Sequence, residues 1–131
     1  MIRILLVDDH VVMRQLLRSI LESYPDLLVV GEAGSGEHAV ARANELLPSV
    51  VIIDVNLPTM NGIRATELIK LCCPSTMVIG LTAGHDQATE QAMIAAGAAV
   101  VVNKEEAVDT LYPAIIGALK ATGSLVSRTS D

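Results

Sequence analysis

Phenylalanine and tryptophan are absent from these 131 residues, which leaves Tyr24 and Tyr112 to supply all of the Phe, Trp and Tyr content. A chain so poor in flat rings has no platform on which nucleic-acid bases could stack. Basic residues are scarce as well, 9 against 15 acidic, for a net charge of −6, and they are scattered along the chain. Proteins that grip a phosphate backbone cluster Lys and Arg on one face, so direct nucleic-acid contact by this chain is not expected. Long apolar runs are missing too. Val50–Ile53 and Ala98–Val102 span only four and five residues, far short of the roughly 20 that a bilayer helix needs. Met1-Ile2-Arg3 leads straight into a strand-like run and then into acids, which is not the pattern of a signal peptide. The only cysteines, Cys72 and Cys73, are neighbours that could close only a strained ring. Without an export signal they read as thiols of a cytoplasmic protein.

Hydrophobic residues make up 51% of the chain, which excludes disorder and allows one well-filled domain. They are mostly Val, Ile, Leu and Ala, the material of buried parallel strands and close-packed helices. Short β-branched runs at Ile2–Val7, Leu27–Val30, Val50–Ile53, Met77–Leu81 and Ala98–Val102 predict five strands. Helical periodicity fills the intervals. The expected core faces are Val12, Leu16, Ile20 and Leu21, with Arg14 and Arg18 turned away; Ala39, Val40, Ala43 and Leu47; Ala65, Leu68, Ile69 and Cys72; Ala88, Ala92, Ala95 and Ala96; and Val108, Leu111, Tyr112, Ile115 and Leu119. Five β-then-α units in a row imply a parallel sheet covered by helices on both faces. Ser35 and Gly97 sit where a helix N-cap and C-cap belong. Residues 31–36 contain three glycines but lack the Lys-Ser/Thr ending of a phosphate loop, and read as a turn.

Ligands of open α/β sheets bind beyond the carboxyl ends of the strands. The polar residues there are Asp8 and Asp9 after the first strand, Asp54 after the third, Thr82 after the fourth and Lys104 after the fifth. Two carboxylates about 5 Å apart repel by roughly 3 kcal/mol at an effective dielectric near 20. A hard divalent cation with oxygen ligands would offset that repulsion, and Mg²⁺ suits one or two carboxylates plus phosphate oxygens. Lys104 and the Thr82 hydroxyl would hold the remaining oxygens of a phosphoryl group. A carboxylate attacking phosphorus would form an acyl phosphate.

Leu5-Leu6-Val7-Asp8-Asp9, Ile52-Ile53-Asp54-Val55-Asn56-Leu57-Pro58 with Met60-Asn61-Gly62, Leu81-Thr82-Ala83 and Val102-Asn103-Lys104 resemble the receiver domain of bacterial two-component response regulators. The likeness covers about residues 1–121. It implies a flavodoxin-like (βα)5 doubly wound sheet with strand order 2-1-3-4-5. It also implies that Asp54 accepts phosphate from a sensor histidine kinase, with Thr82 and Lys104 contacting the phosphoryl group. Asp9, Asp54 and the Asn56 carbonyl would ligate Mg²⁺ directly, and Asp8 through water. Such a domain is a phosphoacceptor rather than an enzyme, and it can form a homodimer.

Asp8-Asp9-His10, Tyr24-Pro25 and Val30-Gly31-Glu32-Ala33 resemble the subfamily that carries a LuxR-type helix-turn-helix and regulates transcription. The expectation is a receiver over residues 1–121, a linker-like tail over 122–131, and an output domain outside this chain. Two departures from the family bear on signalling: Val101 stands where an aromatic residue is usual, and Glu105 follows the lysine where many members have proline. A phosphatase with an aspartate nucleophile is the main competitor, but such enzymes place an acid two residues later. Here that residue is Asn56, which cannot act as a general acid.

Overall fold

The computed structural model describes residues 1–122; all but the first residue of the expected tail, 122–131, lies outside the described residues. In chain order the elements are β1 (Ile2–Val7), α1 (Val11–Glu22), β2 (Leu27–Ala33), α2 (Gly36–Leu46), β3 (Val50–Asp54), α3 (Gly62–Cys72), β4 (Met77–Thr82), α4 (Gln87–Ala96), β5 (Val100–Asn103), a 3-10 turn (Lys104–Glu106) and α5 (Ala107–Ala121). The strands form one parallel sheet in the order 2-1-3-4-5. That is the flavodoxin-like arrangement expected from the sequence.

Strand side chains alternate between the two faces of the sheet, so each strand feeds two cores. Ile4, Leu6, Ile52 and Ile79 pack with Leu17, Leu21, Leu111 and Ile115 of α1 and α5. Leu5, Val7, Val51 and Ile53 pack with Ala39, Ala43, Ala65, Ile69 and Met93 of α2, α3 and α4. Because both faces are covered, the central strands read as near-continuous apolar runs.

Several expected helix faces are corrected. On α1 the buried residues are Leu17 and Leu21, whereas Val12 is 78% and Leu16 51% exposed. The arginines explain the rotation: Arg14 and Arg18 are not turned away but both pair with Glu32 on the edge strand β2. Leu47 is the left-handed C-cap of α2 and is exposed, and Cys73 rather than Cys72 is buried at the end of α3. The alanine face of α4 is not the contact, since Ala88 and Ala95 are not buried and Met93 is the residue driven into the core. Val108 of α5 is exposed. Tyr112 stacks on Tyr24 at 4.0 Å, and its hydroxyl donates to Asp26 at 2.6 Å, tying α5 to the loop after α1.

The turn expected over residues 31–36 is instead the end of a longer β2, which runs to Ala33, followed by the start of α2. Ser35 caps α2 by accepting from the His38 amide at 3.2 Å, and Gly97 ends α4 with φ 122°. Asp8 and Asp9 do not cap α1. Its N-cap is His10, whose side chain makes no capping bond.

The corrected face of α1 yields a paired test. Leu17→Ala should lower the unfolding free energy by about 2–5 kcal/mol, the usual cost of emptying a fully packed leucine site. Leu16→Ala, one residue away on the exposed side, should change it by no more than about 0.5 kcal/mol. Urea denaturation of both variants checks this, and equal losses would mean the face is wrongly oriented.

Candidate functional site

Parallel pairing of β1 with β3 sets Val7 beside Ile53, so the next residues, Asp8 and Asp54, emerge side by side at the carboxyl edge. Both are buried, Asp8 at 0% and Asp54 at 1% exposure. Lys104 reaches them from the 3-10 turn after β5. Its ammonium lies 2.8 Å from Asp54 Oδ2 and 3.0 Å from Asp8 Oδ2. The opposite oxygens are held by backbone: Asp8 Oδ1 accepts from the His10 amide at 2.9 Å, and Asp54 Oδ1 from the Asn56 amide at 3.0 Å. Lys104 thus supplies, without any metal, part of the neutralisation that the acids require.

Local structure explains why the backbone can do this. The loop after β3 turns back tightly enough for the Gly62 amide to donate to the Val55 carbonyl at 2.8 Å. A Cβ at Gly62 would lie 2.3 Å from the Asp54 carbonyl oxygen, so only glycine admits that close approach. Beside β1, Arg14 donates to the Asp8 carbonyl at 2.6 Å and to Glu32 at 2.6 Å. Burial pushes the Glu32 carboxyl up, but Arg18 and Arg14 outweigh it and hold the group below its ordinary range.

Burial also raises the Asp54 carboxyl above its usual range, against the downward pull of Lys104 and the Asn56 amide, with the Asp8 charge adding to the rise. For Lys104, burial disfavours the ammonium, yet its bonds and attraction to Asp54 and Asp8 keep the group above its ordinary value. The one ammonium pairs with Asp8 and Asp54 and leaves Asp9 beside them, so the cluster keeps a surplus of negative charge.

A cation fits that surplus. Asp8, Asp9, His10 and Asp54 each offer a ligand atom, and these atoms lie within 4.8 Å of one another. Asp8 Oδ2 is buried with only the Lys104 ammonium beside it, Asp9 Oδ1 is buried with only the His10 ring nearby, and oxygens so sparsely partnered suit a hard ion. His10 stands 3.2 Å from Asp9 Oδ1 through Nδ1. Its adjacency to the Asp pair is the only signal the sequence offers. The structure therefore gathers Asp8, Asp9, Asp54 and Lys104. Thr82 stands at the carboxyl edge as expected, as the last residue of β4, but its hydroxyl donates to the Gly84 carbonyl at 3.0 Å rather than toward the acids. Asn56 enters through its backbone amide, and its side chain is exposed.

Comparison with known proteins gives consistent results. The family model described as the response regulator receiver domain matches residues 4–116. LiaR of Bacillus subtilis (strain 168), a transcriptional regulatory protein, is 36% identical over 130 residues, which is 99% of this chain and 62% of that protein. LnrK of the same strain, also a transcriptional regulatory protein, is 34% identical over 88% of this chain and 53% of its own length. The chain therefore spans little more than half of these relatives. Among solved structures, the response regulator domain of Thermotoga maritima CheB superposes with TM-score 0.84 at 32% identity, covering 91% of this chain and 96% of that one. A LuxR-family two-component response regulator from Aurantimonas sp. SI85-9A1 gives 0.87 at 29% identity, with 98% of both chains covered.

The charge arithmetic of the site makes a pair of variants diverge. Lys104→Met leaves two buried carboxylates without their cation and should cost about 3–5 kcal/mol in metal-free protein, the usual penalty for breaking a buried pair. Asp8→Asn keeps an acceptor for the His10 amide and removes one repelling charge, so it should raise the metal-free melting temperature. Added Mg²⁺ should stabilise Lys104→Met more than the native chain, and Asp8→Asn less. Thermal melts with and without Mg²⁺ test all three; a lower melting temperature for Asp8→Asn would contradict the repulsion argument.

Proposed function

The chain belongs to the response regulator receiver domain family, and from that premise we propose that Asp54 takes a phosphoryl group from a sensor histidine kinase. The observation that carries the reading is Lys104 Nζ 2.8 Å from Asp54 Oδ2, with the opposite oxygen fixed by the Asn56 amide. A carboxylate so oriented, at the rim of a buried sheet edge, is positioned as a nucleophile. One of its oxygens forms the O–P bond as the P–N bond of the donor phosphohistidine breaks. Lys104, already between two acids, is placed to exchange a carboxylate for a phosphoryl oxygen as charge develops. The Thr82 hydroxyl can give up the Gly84 carbonyl and donate to another phosphoryl oxygen.

Asp9, Asp54 and the Asn56 carbonyl would hold Mg²⁺, with Asp8 acting through water. The ion would supply charge neutralisation at the phosphoryl oxygens. We read residues 1–121 as the receiver and 122–131 as a linker toward an output domain. Likeness to LiaR and to LuxR-family structures favours a DNA-binding output that regulates transcription. This chain would then be a phosphoacceptor acting in the cytoplasm, without catalysing turnover of a separate substrate and without touching nucleic acid itself. Among the described residues no helix is long and apolar enough to cross a membrane.

Incubation with Mg²⁺ and acetyl phosphate should give one phosphoryl adduct by intact mass. Asp54→Asn should abolish it, and Lys104→Met should reduce its rate of formation by at least about tenfold. A phosphate mapped to another residue, or steady hydrolysis of phosphomonoesters, would overturn the assignment.

Val101 shapes the response to phosphorylation. It is β-branched, on the edge strand β5, and lines a groove of about 490 Å³ together with Thr82, Gly84, His85, Pro113 and Ala114. No large side chain fills that space, and valine is too short to swing between two positions as an aromatic residue would. Coupling from Asp54 to the α4–β5 surface should therefore be weak. Homodimerisation would then favour α1 and α5, where Val11, Val12, Leu16 and Val108 are exposed. With beryllofluoride as phosphoryl mimic, self-association should persist in Val101→Tyr and be lost in Val12→Asp. Activation-dependent dimers that survive Val12→Asp would refute this.

A further inference from the structure

Cys72 and Cys73 lie at the end of α3, away from the acidic site. Cys72 is the last helical residue and is exposed, whereas Cys73 is the C-cap, with its amide on the Ile69 carbonyl and its side chain in the core. Their sulfurs are 3.2 Å apart. Burial pushes the Cys73 thiol up to about 11, and its contact with Cys72 adds to the rise. The pair is therefore one exposed and one sheltered thiol, already facing each other.

The spacing discriminates among ligands. A disulfide needs the sulfurs at about 2.0 Å, across a ring too small for good geometry. A linear two-thiolate ion with bonds of about 2.3 Å would need them roughly 4.6 Å apart, and a tetrahedral one roughly 3.8 Å apart. A tetrahedral ion would also need two more ligands. Among the described residues, the acidic cluster is the group of three or more His, Cys, Asp or Glu side chains able to gather on one ion, and it does not include these cysteines. A pyramidal atom with near-right-angle bonds of about 2.3 Å spans roughly 3.3 Å, close to the observed separation, and needs only two protein ligands. Trivalent arsenic bearing one organic substituent has that geometry and that valence.

We propose that Cys72 and Cys73 form a dithiol site for mono-substituted trivalent arsenicals. With an arsenoxide the As=O bond breaks and two S–As bonds form. The two thiol protons leave with the oxygen as one water, and arsenic remains trivalent throughout. Cys72, being exposed, reacts first, and the adduct then captures Cys73 in a ring enlarged by one atom over the strained disulfide.

The test uses phenylarsine oxide on the folded protein without reductant. Intact mass should show one phenylarsenic group added with loss of two hydrogens, and free thiols counted after denaturation should fall from two to zero. The adduct should survive desalting and excess monothiol, and be removed by a 1,2-dithiol. Cys72→Ser and Cys73→Ser should each lose the desalting-stable adduct; Cys72→Ser, at an exposed position, keeps the test valid if the other variant unfolds. An adduct formed only in denaturant, or retained equally by Cys72→Ser, would overturn the proposal.

Discussion

Crowding of carboxylates at one edge of the sheet is the constraint around which the rest of the molecule is arranged. Asp8 and Asp54 leave adjacent parallel strands in register, so the fold itself forces them together. Full burial removes the water that would screen them, and an isolated buried charge is among the costliest features a protein can carry. Each surrounding feature answers that cost. Lys104 crosses from β5 to stand between the two acids, and backbone amides of His10 and Asn56 occupy the remaining oxygens. The amides are available because Gly62 lets its loop close against Asp54, and because Arg14 grips the Asp8 carbonyl while anchored to Glu32. The surplus charge left over makes the cluster able to hold a metal ion.

How much of this is legible in the sequence depends on which physical signal carries it. Strands buried on both faces need apolar residues at nearly every position, so Ile2–Val7, apolar but for Arg3 near its start, can be read to its limits. The other strands are recognisable with ends off by one to three residues, since Glu32, Asp54, Thr82 and Asn103 extend the ladder with polar groups. The acids and Lys104 are legible because topology sends every strand end to one rim. On α1 the signal fails for a definite reason. Val11, Val12, Met13, Leu16, Leu17, Ile20 and Leu21 cover more than half the helix circumference, so periodicity allows two stripes. Only the pairing of Arg14 and Arg18 with Glu32, a contact across the chain, selects between them.

A similar reason hides the anchor of α4. Alanines at helical spacing suggest close packing, but alanine contributes little area, and the helix is seated by Met93 instead. A Cβ at Gly80 would lie 2.7 Å from Met93 Cε, so the methionine occupies the space that Gly80 leaves on β4. Neither residue announces the other in sequence. Thr82 shows the limit in a different form: its position is legible, but the direction of its hydroxyl, toward Gly84, depends on a local turn.

That hydrogen bond also bears on how far a signal could travel from Asp54. On the reading that Asp54 is phosphorylated, Thr82 exchanges the Gly84 carbonyl for a phosphoryl oxygen. A hydrogen bond of this kind has a net value of about 1 kcal/mol, and about twice that to a charged partner. The free energy available to move the loop from Ala83 to Asp86 is the difference between the two bonds, and a shift of about 1 kcal/mol changes a population only about fivefold. The loop in turn is tied to α4 by Asp86, which accepts from the Ala88 amide and the Thr89 hydroxyl. A second contact would have to add to the first for the surface of α4 to switch fully. Val101, partly buried beside Gly80 and Met93, has no polar atom and little reach to provide it. On that reading the influence of the site on α4 would be limited by one hydrogen-bond exchange, whereas the α1–β2 side is tied directly to Asp8 through Arg14.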